Sequence, residues 1–108
     1  MTPELKDRFD KEIRENKIVL YMKGNALFPA CGFSARALSL LKPLGKLHTV
    51  DVLTEPGVRD AIKEYSSWPT IPQVYINGKF IGGSDIVADL AERGELEKLV
   101  NSEAGGQR

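Results

Sequence analysis

The apolar residues change period repeatedly along this chain, and that alternation restricts it to a fold mixing helices with a sheet. Leu5, Phe9 and Ile13 recur every four residues behind Thr2-Pro3, an N-cap followed by proline at the first helical position, so a helix opens the chain. Ile18-Val19-Leu20-Tyr21-Met22 is a continuous apolar run, suited to a strand buried on both faces. Lys23 to Ala30 carries Gly24, Asn25 and Pro29 and reads as a loop. Ala37, Leu40, Leu41 and Leu44 follow helical spacing and predict a second helix ending around Pro43 to Gly45. Leu47 to Val52 reads as a second strand. Thr54 is expected to cap a third helix, with Pro56 in its first turn and Val58, Ala61, Ile62 and Tyr65 on its buried face. Val74-Tyr75-Ile76, Asn77-Gly78 and Phe80-Ile81 spell a hairpin, because Asn-Gly suits a type I′ turn. After Gly82-Gly83, Ser84-Asp85 is expected to start a helix as an N-cap with an acidic first turn, carrying Ile86, Val87 and Leu90. Gly94 breaks it, and Leu96, Leu99 and Val100 form a last helical turn or two.

The resulting order, α-β-α-β-α-β-β-α-α, contains a βαβ unit and therefore two parallel strands. The later hairpin adds antiparallel strands, so the expected class is α/β, a four-stranded mixed sheet with helices on both faces. No repeat or linker divides the 108 residues. They read as a single domain with a core over about 4–101 and a flexible tail over 102–108.

Charge excludes some functions. Lys plus Arg and Asp plus Glu each number 15, giving zero formal net charge, whereas nucleic-acid-binding domains carry a basic excess. No apolar run approaches the roughly 20 residues that span a bilayer, so no membrane partner is expected. The N-terminus lacks the apolar stretch of a signal peptide, and its acidic residues fit a transit peptide poorly. A single cysteine forms no internal disulfide, which fits a reducing compartment and gives a cytoplasmic expectation.

That cysteine, Cys31, lies where the Pro29 loop meets the start of the second helix. A lone cysteine is more often a small buried hydrophobe. At a helix N-terminus, however, free N–H groups and the positive dipole end favour the thiolate. Ser34 occupies the place of a second thiol in a Cys-x-x-Cys pair, and a hydroxyl does not resolve a mixed disulfide. Release therefore falls to an external thiol, and the sulfur is also free to bind a soft metal centre. Arg59 and Lys63 share one face of the third helix; such a pair is commonly a solvated surface, or else an anion site. His48 stands apart from every motif and reads as structural or exposed.

Cys31-Gly32-Phe33-Ser34 resembles the active-site signature of the monothiol glutaredoxins, in their single-domain, glutaredoxin-4-like form. Three more segments match in order: Tyr21-Met22-Lys23-Gly24, Trp68-Pro69-Thr70-Ile71-Pro72-Gln73 and Gly82-Gly83-Ser84-Asp85. Gly24 to Pro29 is also similar to the lengthened loop that separates this family from dithiol glutaredoxins. The resemblance runs over roughly residues 5 to 100 and implies a thioredoxin-like fold.

It further implies glutathione as ligand, with Lys23 and Arg59 on its carboxylates and Lys63 as a further candidate. Ile71, before a cis Pro72, would pair with its backbone. The helix start at Ser84 would take the α-carboxylate, and Asp85 the amine. Trp68 is either packing or part of this site. Many members carry cysteine where this chain has Ser84, a departure that removes a second redox thiol. The family also implies a [2Fe-2S] cluster bridged by Cys31 of two protomers and two glutathione thiolates, four in all. The function implied is an iron–sulfur carrier, homodimeric when loaded, serving apo client proteins and a BolA-like protein, with weak or no glutathione-disulfide oxidoreductase activity. The alternative is a glutathione-dependent thiol–disulfide oxidoreductase that removes glutathione from proteins by a monothiol route.

Overall fold

A computed structural model describes residues 1–102. Helix α1 (Pro3–Glu15) begins as its sequence requires, with Thr2 Oγ1 accepting the Leu5 N–H at 3.2 Å and Pro3 in the first turn. Strand β1 (Ile18–Met22) is buried along its whole length. Helix α2 (Gly32–Leu41) tightens into a 3₁₀ turn over Lys42–Leu44, where Pro43 forbids continuation of the α-helical ladder. Strand β2 (Leu47–Asp51) follows, one residue shorter than the apolar pattern.

Helix α3 (Val58–Ser66) differs from expectation. Thr54 does not cap it. Its Oγ1 instead donates to the Asp51 carbonyl at 2.9 Å, closing a turn after β2. Pro56 falls in the next turn, closed by the Val58 N–H on the Glu55 carbonyl at 3.3 Å, and the N-cap is Gly57 at φ +86°, a left-handed conformation open to glycine at little cost. Strands β3 (Gln73–Ile76) and β4 (Lys79–Gly82) form the predicted hairpin, with Asn77 and Gly78 both at positive φ. Helix α4 (Ser84–Glu92) is also entered differently: Gly83 is the N-cap, Ser84 is the first helical residue, and no side chain caps the turn. Gly94 separates α4 from α5 (Glu95–Asn101). Ser102 closes α5, its Oγ donating to the Leu99 carbonyl at 2.7 Å; residues 103–108 of the expected tail lie outside the described residues.

The sheet order is β2-β1-β3-β4, with β1 parallel to β2 and antiparallel to β3. Alternation along β1 divides the core in two. Val19 and Tyr21 pack with Phe9 and Ile13 of α1 and Val58, Ala61 and Ile62 of α3. Ile18, Leu20 and Met22 face Ala37, Leu38 and Leu41 of α2, Val87 of α4, and Leu96 and Val100 of α5. Both ends of that arrangement matter. Beyond Met22 lies the cysteine loop; beyond Ile18 lies the hairpin turn, whose Asn77 N–H donates to the Lys17 carbonyl at 2.8 Å. Among the described residues no helix is long and apolar enough to cross a membrane.

Candidate functional site

The loop after β1 is built to hold a fixed shape. Ala30 N–H returns to the Lys23 carbonyl at 2.9 Å, and Gly24 bridges Pro29. Asn25 Oδ1 accepts from the N–H groups of both Leu27 and Phe28 at 2.9 Å, an Asx turn. Gly24 is required: its φ is +86°, and a Cβ there would sit 2.5 Å from Ala30 N and Phe28 O. This loop delivers Cys31 as the N-cap of α2.

Cys31 is half-buried, and its Sγ accepts the Ser34 N–H at 3.4 Å. Ser34 Oγ lies 3.3 Å from the sulfur and also accepts the Lys23 N–H at 3.0 Å. Burial alone pushes the thiol up. The Ser34 hydroxyl, the backbone N–H groups of Ser34 and Phe33 and the charge of Lys23 outweigh it and hold Cys31 below the ordinary thiol value. Phe28 and Phe33, 76% and 63% exposed, flank it in sequence and give the thiol's surroundings an apolar surface.

A groove of about 420 Å³ runs beside this element. Lys23, Lys63, Ile71, Ser84 and Asp85 all line it, together with Phe33, Trp68, Pro72 and Gly83. Cys31 and Arg59 are not among the lining residues. Arg59 stands one turn before Lys63 on α3, half-exposed and 4.0 Å from Asp60. Asp85 is 3.7 Å from Arg36 of α2, a pairing across nearly fifty residues of chain that no local pattern announces. His48 is half-exposed, 3.6 Å from Glu12 and outside the groove. A larger hollow of about 870 Å³ lies between α1, the 77–78 turn and the end of α5, and none of the expected site residues lines it.

One wall of the groove is the segment between α3 and β3. The Ile71–Pro72 peptide is cis. Gln73, fully buried, donates from Nε2 to the carbonyls of Trp68 at 3.0 Å and Thr70 at 3.3 Å, tying the segment down. Gly83 approaches so closely that a Cβ there would meet the Pro72 carbonyl at 3.3 Å and the indole nitrogen of Trp68 at 3.6 Å. In the sequence Gln73 figures only as the last residue of the Trp68–Gln73 segment, and nothing there signals its part in tying that segment down.

The residues 18–81, more than half of the chain, match the glutaredoxin family model. A Synechocystis sp. protein named as an uncharacterized monothiol glutaredoxin is 50% identical over 101 residues, covering 93% of this chain and 94% of that one. The chain is a member of the monothiol glutaredoxin family. The reduced apo GrxS14 of poplar, solved in solution, superposes with a TM-score of 0.81 at 46% identity, covering 92% of each chain. A buckwheat glutaredoxin solved as a complex with glutathione gives a TM-score of 0.78 at 25% identity, covering 93% of this chain and 94% of that one. The fold is therefore the thioredoxin-like fold of the glutaredoxins, with the four-stranded mixed sheet that the apolar pattern predicts.

Proposed function

We propose that this monothiol glutaredoxin binds glutathione in the groove beside Cys31 and carries a [2Fe-2S] cluster as cargo between two protomers. The observation that carries the reading is a single lowered thiol at a helix N-terminus, next to a groove with a cation-bearing side and an uncapped helix start. Glutathione fits that donor set. Lys23 and Lys63 offer charge to one carboxylate, and Arg59 lies one turn away on the same helix. The first N–H groups of α4 suit a second carboxylate, while Asp85 beside them suits an ammonium. The buckwheat glutaredoxin complex supports the ligand by relationship.

The cluster is what the family resemblance implies, and counting permits it. Four thiolates hold a [2Fe-2S] centre, and each chain has one cysteine. No group of three or more His, Cys, Asp or Glu side chains among the described residues is arranged to hold a metal. Two protomers and two glutathiones complete the set. Handing the cluster to apo client proteins, or sharing it with a BolA-like protein, is the same ligand exchange with another acceptor in a cytoplasmic setting. The lowered thiol also favours glutathione exchange with protein mixed disulfides, the second reading.

Anaerobic reconstitution with iron, sulfide and glutathione separates the two. The carrier reading predicts a brown dimer that bleaches on removal of glutathione and is lost in Cys31→Ser. Lys23→Ala and Lys63→Ala should weaken glutathione binding by up to about fivefold each, the range of exposed charge pairs. A colourless monomer that rapidly reduces a glutathione mixed disulfide would overturn the carrier in favour of the enzyme.

A further inference from the structure

The backbone beside Lys23 is held from the far side of the sheet by a side chain outside the groove. The N–H of buried Gly24, the residue after Lys23, donates to Asp51 Oδ1 at 3.1 Å, across 27 residues of chain. The same oxygen accepts the Leu53 N–H at 2.9 Å. The Leu53 bond alone is an ordinary Asx turn after a strand. The Gly24 bond is not local, and a carboxylate acceptor makes it about twice as strong as a neutral one would. One atom therefore fastens the cysteine loop to the turn that leaves β2.

Each of those two segments brings a cation to the groove. Lys23 arrives on the loop, and Lys63 on α3, the next element after that turn. Among the described residues neither lysine forms an ion pair. Two like charges lining one groove without a counter-ion suit an anion between them, and their spacing decides how well it is held. On the glutathione reading above, Asp85 and the start of α4 take the ammonium and carboxylate of the γ-glutamyl residue. The glycine carboxylate is left for the lysines.

We propose that Asp51 is a positioning residue for ligand specificity: by holding Gly24 and Leu53 on one oxygen, it sets Lys23 against Lys63 so that the pair recognises the glycine carboxylate. This role rests on the glutathione reading and adds to it a residue that touches no ligand.

Titration calorimetry with reduced glutathione and with its monoethyl ester at glycine, which lacks that carboxylate, tests the role. Wild type is expected to prefer glutathione. Asp51→Ala should weaken glutathione by up to about fivefold, the scale of an exposed charge pair, and leave the ester unchanged. Asp51→Asn, which keeps an accepting oxygen, should stay nearer wild type. General loosening of the fold would weaken both ligands alike, so equal losses overturn the proposal, as does a preference that Asp51→Ala leaves intact. A wild type that binds neither ligand overturns the glutathione reading and this role with it. Should Asp51→Ala fail to fold, NMR coupling across the two hydrogen bonds is measured in wild type, from the Gly24 and Leu53 nitrogens to the Asp51 carboxyl carbon. Coupling at both nitrogens supports the role, and its absence at Gly24 overturns it.

Discussion

The Cys31 thiol is held below its ordinary value by a fixed set of donors, with no histidine beside it to act as base. Burial works against the thiolate, and the Ser34 hydroxyl, two backbone N–H groups and Lys23 overcome it. A stability consequence follows with a definite sign. The folded value lies below the unfolded one, about 8.5. The contribution is therefore complete above the unfolded value and disappears as pH falls through the folded one. Urea denaturation of wild type and Cys31→Ala should show a stability difference that grows as pH rises toward about 9 and then levels off. A difference independent of pH would mean the thiol is not lowered. That Cys31 begins a helix was legible from Pro29 and the apolar spacing after it. That Ser34 bonds it was not, because the bond depends on where Lys23 sits across the loop.

At the scale of elements, the groove exists because two short segments are held against each other. The 67–72 segment leaves α3 through Ser67 at φ +57°, and the Trp68 N–H is bonded to the Lys63 carbonyl at 3.1 Å. Gln73 then gathers the Trp68 and Thr70 carbonyls from inside the sheet. Gln73→Leu removes both bonds to the Trp68 and Thr70 carbonyls, a loss of about 1–3 kcal/mol. Glutathione affinity should fall with it, since Trp68, Ile71 and Pro72 line the groove. Thermal denaturation and a ligand titration check the pair of effects; full affinity with lowered stability would separate the wall from the site. Local pattern failed at both helix entries next to turns. Thr54 and Ser84 are good capping types, but the Asp51 carbonyl claims Thr54 and Gly83 takes the cap position before Ser84. Side-chain chemistry names the residues able to cap; the path of the chain selects which one does.

Across the whole molecule, β1 works as a two-sided floor between α1 with α3 and α2 with α4 and α5. Phe9 fastens α1 to that floor, wholly buried with its ring 5.6 Å from Tyr21 and 5.4 Å from Tyr65. Tyr21 adds a hydrogen bond to Glu12 at 2.8 Å. Phe9→Ala should cost about 3–5 kcal/mol in urea denaturation, the usual range for a large ring lost from a core. A loss below about 0.5 kcal/mol, the scale of a surface change, would show that α1 is not part of the cooperative unit.

By itself the sequence determined the kind and order of the elements, the hairpin turn and the place of the thiol, because each depends on the spacing or backbone needs of neighbouring residues. Tertiary structure decided which residues share the groove. It set Lys63 into the lining and Arg59 outside it, paired Asp85 with Arg36, and aimed Ser34 and Gln73 inward. Those choices turn on distances between segments far apart in the chain, and apolar periodicity carries no record of them.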